Sequence, residues 1–100
     1  MEGQASISAD ILARYAADAA REVPGVRGVA ESPLPGRRGV RIATEDGEVR
    51  VELHLTVDWG AEIPELGRMV QVRVREYLLR MADVEPAAVD VVVDEVGARP

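Results

Sequence analysis

The sequence has no cysteine, no lysine and no phenylalanine, and its only aromatic residues are Tyr15, Trp59 and Tyr77. Without cysteine there is no disulfide scaffold, no thiol nucleophile and no thiolate metal site. Without lysine there is no Schiff base and no Walker phosphate loop. Basic charge is the scarcer sign. Twelve arginines stand against eighteen acidic residues, a net charge of −6, and that balance argues against a general nucleic-acid binder. Long apolar runs are also missing. Val91-Val92-Val93 is closed off by Asp90 and Asp94, far below the roughly 20 residues of a spanning helix. Met1 to Ser6 has neither a basic start nor an apolar stretch, so no export signal is expected. The expectation is a cytoplasmic chain with no direct membrane insertion.

What is present is enough for a core. The chain has 100 residues, of which 47% are apolar and 30% charged. That size and balance predict one domain over 1–100, with an ordered core over about 7–96. Sixteen valines and fourteen alanines supply most of the apolar volume.

Ser8 is placed to cap a helix, with Asp10 in its first turn. Ile11, Leu12, Tyr15, Ala16, Ala19, Ala20 and Val23 then recur at helical spacing, and Pro24-Gly25 ends the pattern. The alanines give this helix a thin face, suited to close approach on a sheet. Val26 to Glu31 reads as a short strand, in which Gly28 leaves room for a neighbour. Pro33 and Pro35 deny ladder donors, so Ser32 to Arg38 reads as a loop.

Gly39 to Thr44 resumes as a strand, and Asp46-Gly47 is a strong hairpin signal. The cleanest pattern follows. Val49, Val51, Leu53, Leu55 and Val57 alternate with Glu48, Arg50, Glu52, His54, Thr56 and Asp58. Period two over that length predicts a long strand with one buried and one wet face.

Pro64 suits the first turn of a second helix. Its apolar stripe reads as Leu66, Met69, Val70, Val74, Tyr77, Leu78 and Met81, with Gly67 allowing close packing. Val84-Glu85-Pro86 breaks it. Val89, Val91 and Val93 define a last strand, and the extra Val92 suggests a strand less exposed than an edge. The order α-β-β-β-α-β predicts an α+β two-layer sandwich. Two helices cover one face of a mostly antiparallel four-stranded sheet, and the last strand returns parallel through a right-handed crossover.

Candidate chemistry is sparse. His54 shares a strand face with Glu52, so an imidazole beside a carboxylate is within reach. One histidine without cysteine makes a poor transition-metal site, and no neighbouring nucleophile completes a triad. Glu45 with Glu48, or Asp90 with Asp94, would need a cleft to act as acid and base. Solvated turn and strand charge is the better reading, so no catalytic residue and no cofactor is expected. Gly25-Val26-Arg27-Gly28 has the GxxG spacing of the KH nucleic-acid module, but it follows one helix and opens a strand rather than joining two helices. Arg37, Arg38, Arg41 and Arg50 gather near the hairpin, interleaved with acids and without aromatic stacking partners. Trp59 either caps the end of the sheet or anchors an interface. Trp59, His54 and Arg50 are the candidate interaction residues.

Several stretches in order resemble the alkaline-shock-protein family of bacterial envelope-stress proteins. Ile7-Ser8, then Ala19-Ala20-Arg21-Glu22-Val23-Pro24-Gly25-Val26, is similar to that family's opening. Val57-Asp58-Trp59-Gly60 with Ile63-Pro64 resembles its central segment. Val70-Gln71, Met81 and Val89-Asp90-Val91-Val92-Val93 resemble the remainder. Two features depart from the family. Met81-Ala82-Asp83 stands where Met-Thr-Gly is usual, and the long charged tail of many members is missing. The resemblance implies a non-enzymatic protein of the envelope or alkaline stress response. It would self-associate as an interaction or scaffold module in the cytoplasm near the membrane, held there by a membrane-anchored protein. A KH-like nucleic-acid module is the alternative.

Overall fold

The computed structural model describes residues 8–30 and 39–99. The expected loop over Ser32–Arg38, with Arg37 and Arg38, lies outside the described residues, as do Ile7 and the chain's first six residues.

Helix α1 spans Ala9–Arg21. The Ser8 hydroxyl accepts from the Ile11 N–H at 3.2 Å and so satisfies one of the free donors at the helix start. The inward side carries Leu12, Ala16, Ala17, Ala19 and Ala20. Small side chains let the helix axis lie close to the sheet. Ile11 turns outward and is exposed, unlike its place in the predicted stripe.

Strand β1 is Val26–Val29, β2 is Val40–Glu45 and β3 is Glu48–Val57. Asp46 and Gly47 both take positive φ, 52° and 79°. Two such residues make the tight turn whose twist suits a hairpin, and Glu45 pairs with Glu48 across it. Val51, Leu53, Leu55 and Val57 are buried, while the intervening residues face out. Burying each such side chain contributes about 1.5–3 kcal/mol.

Both β1 and β2 run antiparallel along the same edge of β3. Val26–Val29 pair with Val57–Leu55, and Val40–Glu45 pair with Leu53–Glu48. At the join, the Ala30 N–H donates to the His54 carbonyl and the His54 N–H donates to the Gly39 carbonyl, each at 2.7 Å. One residue of β3 thus bridges the end of β1 and the start of β2. The four strands occupy three ranks, with β1 and β2 end to end along one edge of β3. Gly39 is required there, because a Cβ would collide with the Ala30 carbonyl oxygen.

Helix α2 spans Ile63–Ala82 with Pro64 in its first turn. It buries Leu66, Val70, Val74 and Leu78 at strict four-residue spacing. Met69 and Met81 are exposed, so the predicted stripe was too wide by those two residues. A Cβ on Gly67 would meet nothing within 4 Å, so close packing does not explain that glycine. The same open space surrounds Gly28. Asp83 ends the helix in the left-handed conformation, φ 54°.

Strand β4, Ala88–Val96, pairs parallel with the free edge of β3. It has no second strand neighbour among the described residues. The extra valine does not mark an interior strand. Val92 points to the uncovered face and is exposed. α1 packs on β1 and β2, α2 packs on β4, and the helices pack on each other. Tyr15 meets Tyr77 edge-on at 5.8 Å, and Arg73 pairs with Glu22 at 3.1 Å. The architecture is the expected α-β-β-β-α-β sandwich, with one sheet face covered by both helices.

Candidate functional site

The uncovered sheet face holds the outward residues of all three ranks. Opposite each other lie Arg41, Glu52 and Asp90, then His54 beside Val92, then Gly28, Thr56 and Glu95. Its centre is His54. The Nε2 atom lies 2.6 Å from Glu52 Oε2. On the opposite side of the ring, Nδ1 lies 3.0 and 3.1 Å from the two Asp94 oxygens.

Glu52 reaches His54 because two residues along a strand share a face. Asp94 arrives by a different route. The β3–β4 register shifts after Leu55, so that Leu55 pairs with Val93 while Thr56 pairs with Glu95. Asp94 is the extra residue of a bulge. A bulge puts two residues of one strand opposite one of its partner and re-aims their side chains. Asp94 contacts His54, and Glu95 faces Thr56, whose hydroxyl donates to it at 3.5 Å.

An ionised carboxylate only accepts hydrogen bonds, so both ring nitrogens must donate to satisfy both partners. That requires the imidazolium. The contact with Glu52, and then that with Asp94, raises the His54 pKa above its usual 6.5. The same contact with His54 holds Glu52 below its usual 4.5. Arg41, directly across the ladder, adds to that lowering. The two carboxylates sit on opposite ring nitrogens and do not converge on one point. Among the described residues no group of three metal-ligating side chains is placed to hold an ion.

His54 and Arg50 share this face, four residues apart on β3. Arg50 is exposed between Ala43 and Ala88. Trp59 stands apart, past the end of β3. It is 51% exposed, and the Arg99 guanidinium lies 5.4 Å from its ring centre. It does not close the sheet end as a buried cap would. Asp90 lies opposite Glu52 and Asp94 beside His54, so they form no acid–base pair. Gly25, φ 98°, turns the chain after α1, and Gly28 is inside β1. Asp94 is the residue that sequence reasoning missed. Its signal was the phase break between Val93 and Val96, an odd spacing in a strand otherwise alternating by two.

Fold and site together define a small two-layer α+β module. Its open sheet face is mainly polar, with a carboxylate-bracketed histidine beside Val92, and most of its exposed large apolar side chains lie elsewhere. The model of the alkaline shock protein 23 family, described by a cell envelope-related function, matches residues 1–98. The chain belongs to that family. No curated protein matches it.

Among solved structures the chain is similar in fold to the MamM CTD. A histidine-to-alanine variant of that domain superposes with a TM-score of 0.61 at 16% identity, covering 91% of this chain and 100% of that one. A cadmium form gives 0.59 at 17%, covering 88% and 98%. A nickel form gives 0.59 at 16%, covering 89% and 99%. No helix among the described residues is long and apolar enough to cross a membrane.

Proposed function

We propose that this chain is a non-enzymatic, self-associating interaction module of the envelope stress response. It works in the cytoplasm near the membrane and is held there by a membrane-anchored protein partner. The observation that carries this reading is where the large apolar side chains lie. Val72, Trp59, Leu79 and Met69 are all exposed on the described surface. Exposed tryptophan and methionine are the residue types that anchor protein interfaces. The bracketed histidine supports the non-enzymatic part. With a carboxylate on each ring nitrogen, His54 has no nitrogen left to activate a nucleophile. The family's cell envelope-related function supports the location. At a net charge of −6, direct docking on anionic lipid is disfavoured, so a protein partner supplies the membrane contact.

The test is a pull-down with the tagged chain from cells under envelope stress, with Trp59→Ala beside it. The expected result is capture of a membrane-anchored protein together with untagged copies of the chain, and weaker partner capture by the variant. Recovery of neither would overturn the reading.

A further inference from the structure

Past the end of β3 the chain makes a tight turn with Trp59 at its tip. The Asp58 carbonyl accepts from the Ala61 N–H at 3.1 Å, and Gly60 takes a φ of 89°, as the third residue of such a turn often must. The Asp58 N–H donates to the Gly25 carbonyl at 2.8 Å, which ties the turn to the chain leaving α1. The segment after β4 crosses the same end of the sheet. The Gly97 N–H donates to the Val57 carbonyl at 2.7 Å. Arg27 reaches over from β1 and lies so close that a Cβ on Gly97 would collide with its guanidinium and Cδ. The Arg27 Nε is 4.0 Å from Asp58 Oδ1. Two residues beyond Gly97, the Arg99 guanidinium lies 5.4 Å from the Trp59 ring centre. The core has no need of that contact, since Trp59 and Arg99 are both exposed.

We propose that the Trp59 ring is a receptor for an arginine of the protein partner, and that Arg99 occupies it in the free chain and leaves when the partner binds. This rests on the reading that a protein partner docks at Trp59, and it adds the chemistry of that partner and a control on access. The resident side chain shows what the ring accepts. An indole face attracts a cation through its quadrupole, and arginine is the side chain found there most often. Asp58 and Glu62, both exposed, flank the tryptophan in sequence, and the chain carries a net charge of −6. Such a surface complements a basic partner. An incoming arginine restores the contact that Arg99 gives up, whereas an apolar side chain leaves it unreplaced. Arg99 is also the part of the segment that is free to move. The backbone hold is at Gly97, and an exposed cation–π contact is weak enough to exchange.

The experiment uses the full chain, Arg99→Ala, Trp59→Ala and the double variant. All change exposed residues, and circular dichroism checks that they fold. Trp59 is the only tryptophan, so its fluorescence reports on this site alone. Acrylamide should quench Arg99→Ala more strongly than the full chain, and equal quenching would overturn the resident contact. A labelled hexa-arginine peptide is then the probe, its binding followed by fluorescence anisotropy. Arg99→Ala should tighten binding about threefold or more when Trp59 is present and leave it unchanged when Trp59 is replaced. An equal gain in both backgrounds would mean that Arg99 acts through bulk charge alone, against the proposal. Peptide binding that Trp59→Ala does not weaken would overturn the arginine site. Each of these failures leaves the protein-partner reading standing, because that reading falls only when the pull-down recovers no partner.

Discussion

His54 titrates against a pattern set by its neighbours. Glu52 on Nε2 and Asp94 on Nδ1 both need a donor, so losing the ring proton leaves a carboxylate facing a bare nitrogen. Its pKa is raised, so its contribution to stability is complete below the ordinary imidazole value of 6.5 and is lost as pH rises through the raised value. The Glu52 pKa is lowered, so its contribution is present above the ordinary 4.5 and is lost as pH falls through the lowered value. The cluster therefore stabilises most between those two ordinary values. NMR titration of the His54 ring should give a pKa above 6.5 that moves down in Asp94→Asn. A His54 that titrates at or below 6.5 in both proteins would contradict the bracket. Half of this cluster was legible in the sequence. Glu52 and His54 are two apart on an alternating strand, and period two alone puts them together. Asp94 is forty residues away and depends on a bulge, and a one-residue phase slip is a weak signal in a valine-rich strand.

At the scale of elements, α2 ends on a residue that its backbone does not favour. Asp83 holds a φ of 54°, where an L side chain crowds the backbone and glycine is at ease. Glycine at this place would take the same turn without that crowding. Asp83→Gly should stabilise the fold by about 0.5–1 kcal/mol, read as a rise of several degrees in the unfolding midpoint. No rise would mean that local contacts of Asp83 offset its strain. The join between β1 and β2 is the opposite case. Gly39→Ala should cost about 2 kcal/mol or more in denaturant unfolding, since a methyl has no space beside the Ala30 carbonyl. A neutral Gly39→Ala would contradict the close join. Local patterns made most elements legible. Alternation marked β3, Ser8 and Pro24-Gly25 bounded α1, and Asp46-Gly47 marked the hairpin. The common line of β1 and β2 was not legible, because the residues between them hide the shared edge. The edge position of β4 was masked by Val92, which adds apolar character on the open face without adding burial.

At the scale of the whole molecule, the two faces divide the work. One sheet face and the inward sides of both helices make a core of valine, leucine and alanine, with no buried polar or charged residue among those described. The other sheet face is polar, and its edge strand β4 carries Asp90, Asp94 and a bulge, features that discourage strand-to-strand addition. Growth along the β4 edge is therefore disfavoured, and the outer side of α2, with Trp59, keeps much of the exposed apolar surface. The central claim is that the chain associates with itself. Sedimentation equilibrium across about a hundredfold range of concentration tests it most directly. The account predicts an average mass that climbs above the 10.8 kDa of one chain as concentration rises. A mass that stays at one chain throughout would contradict it.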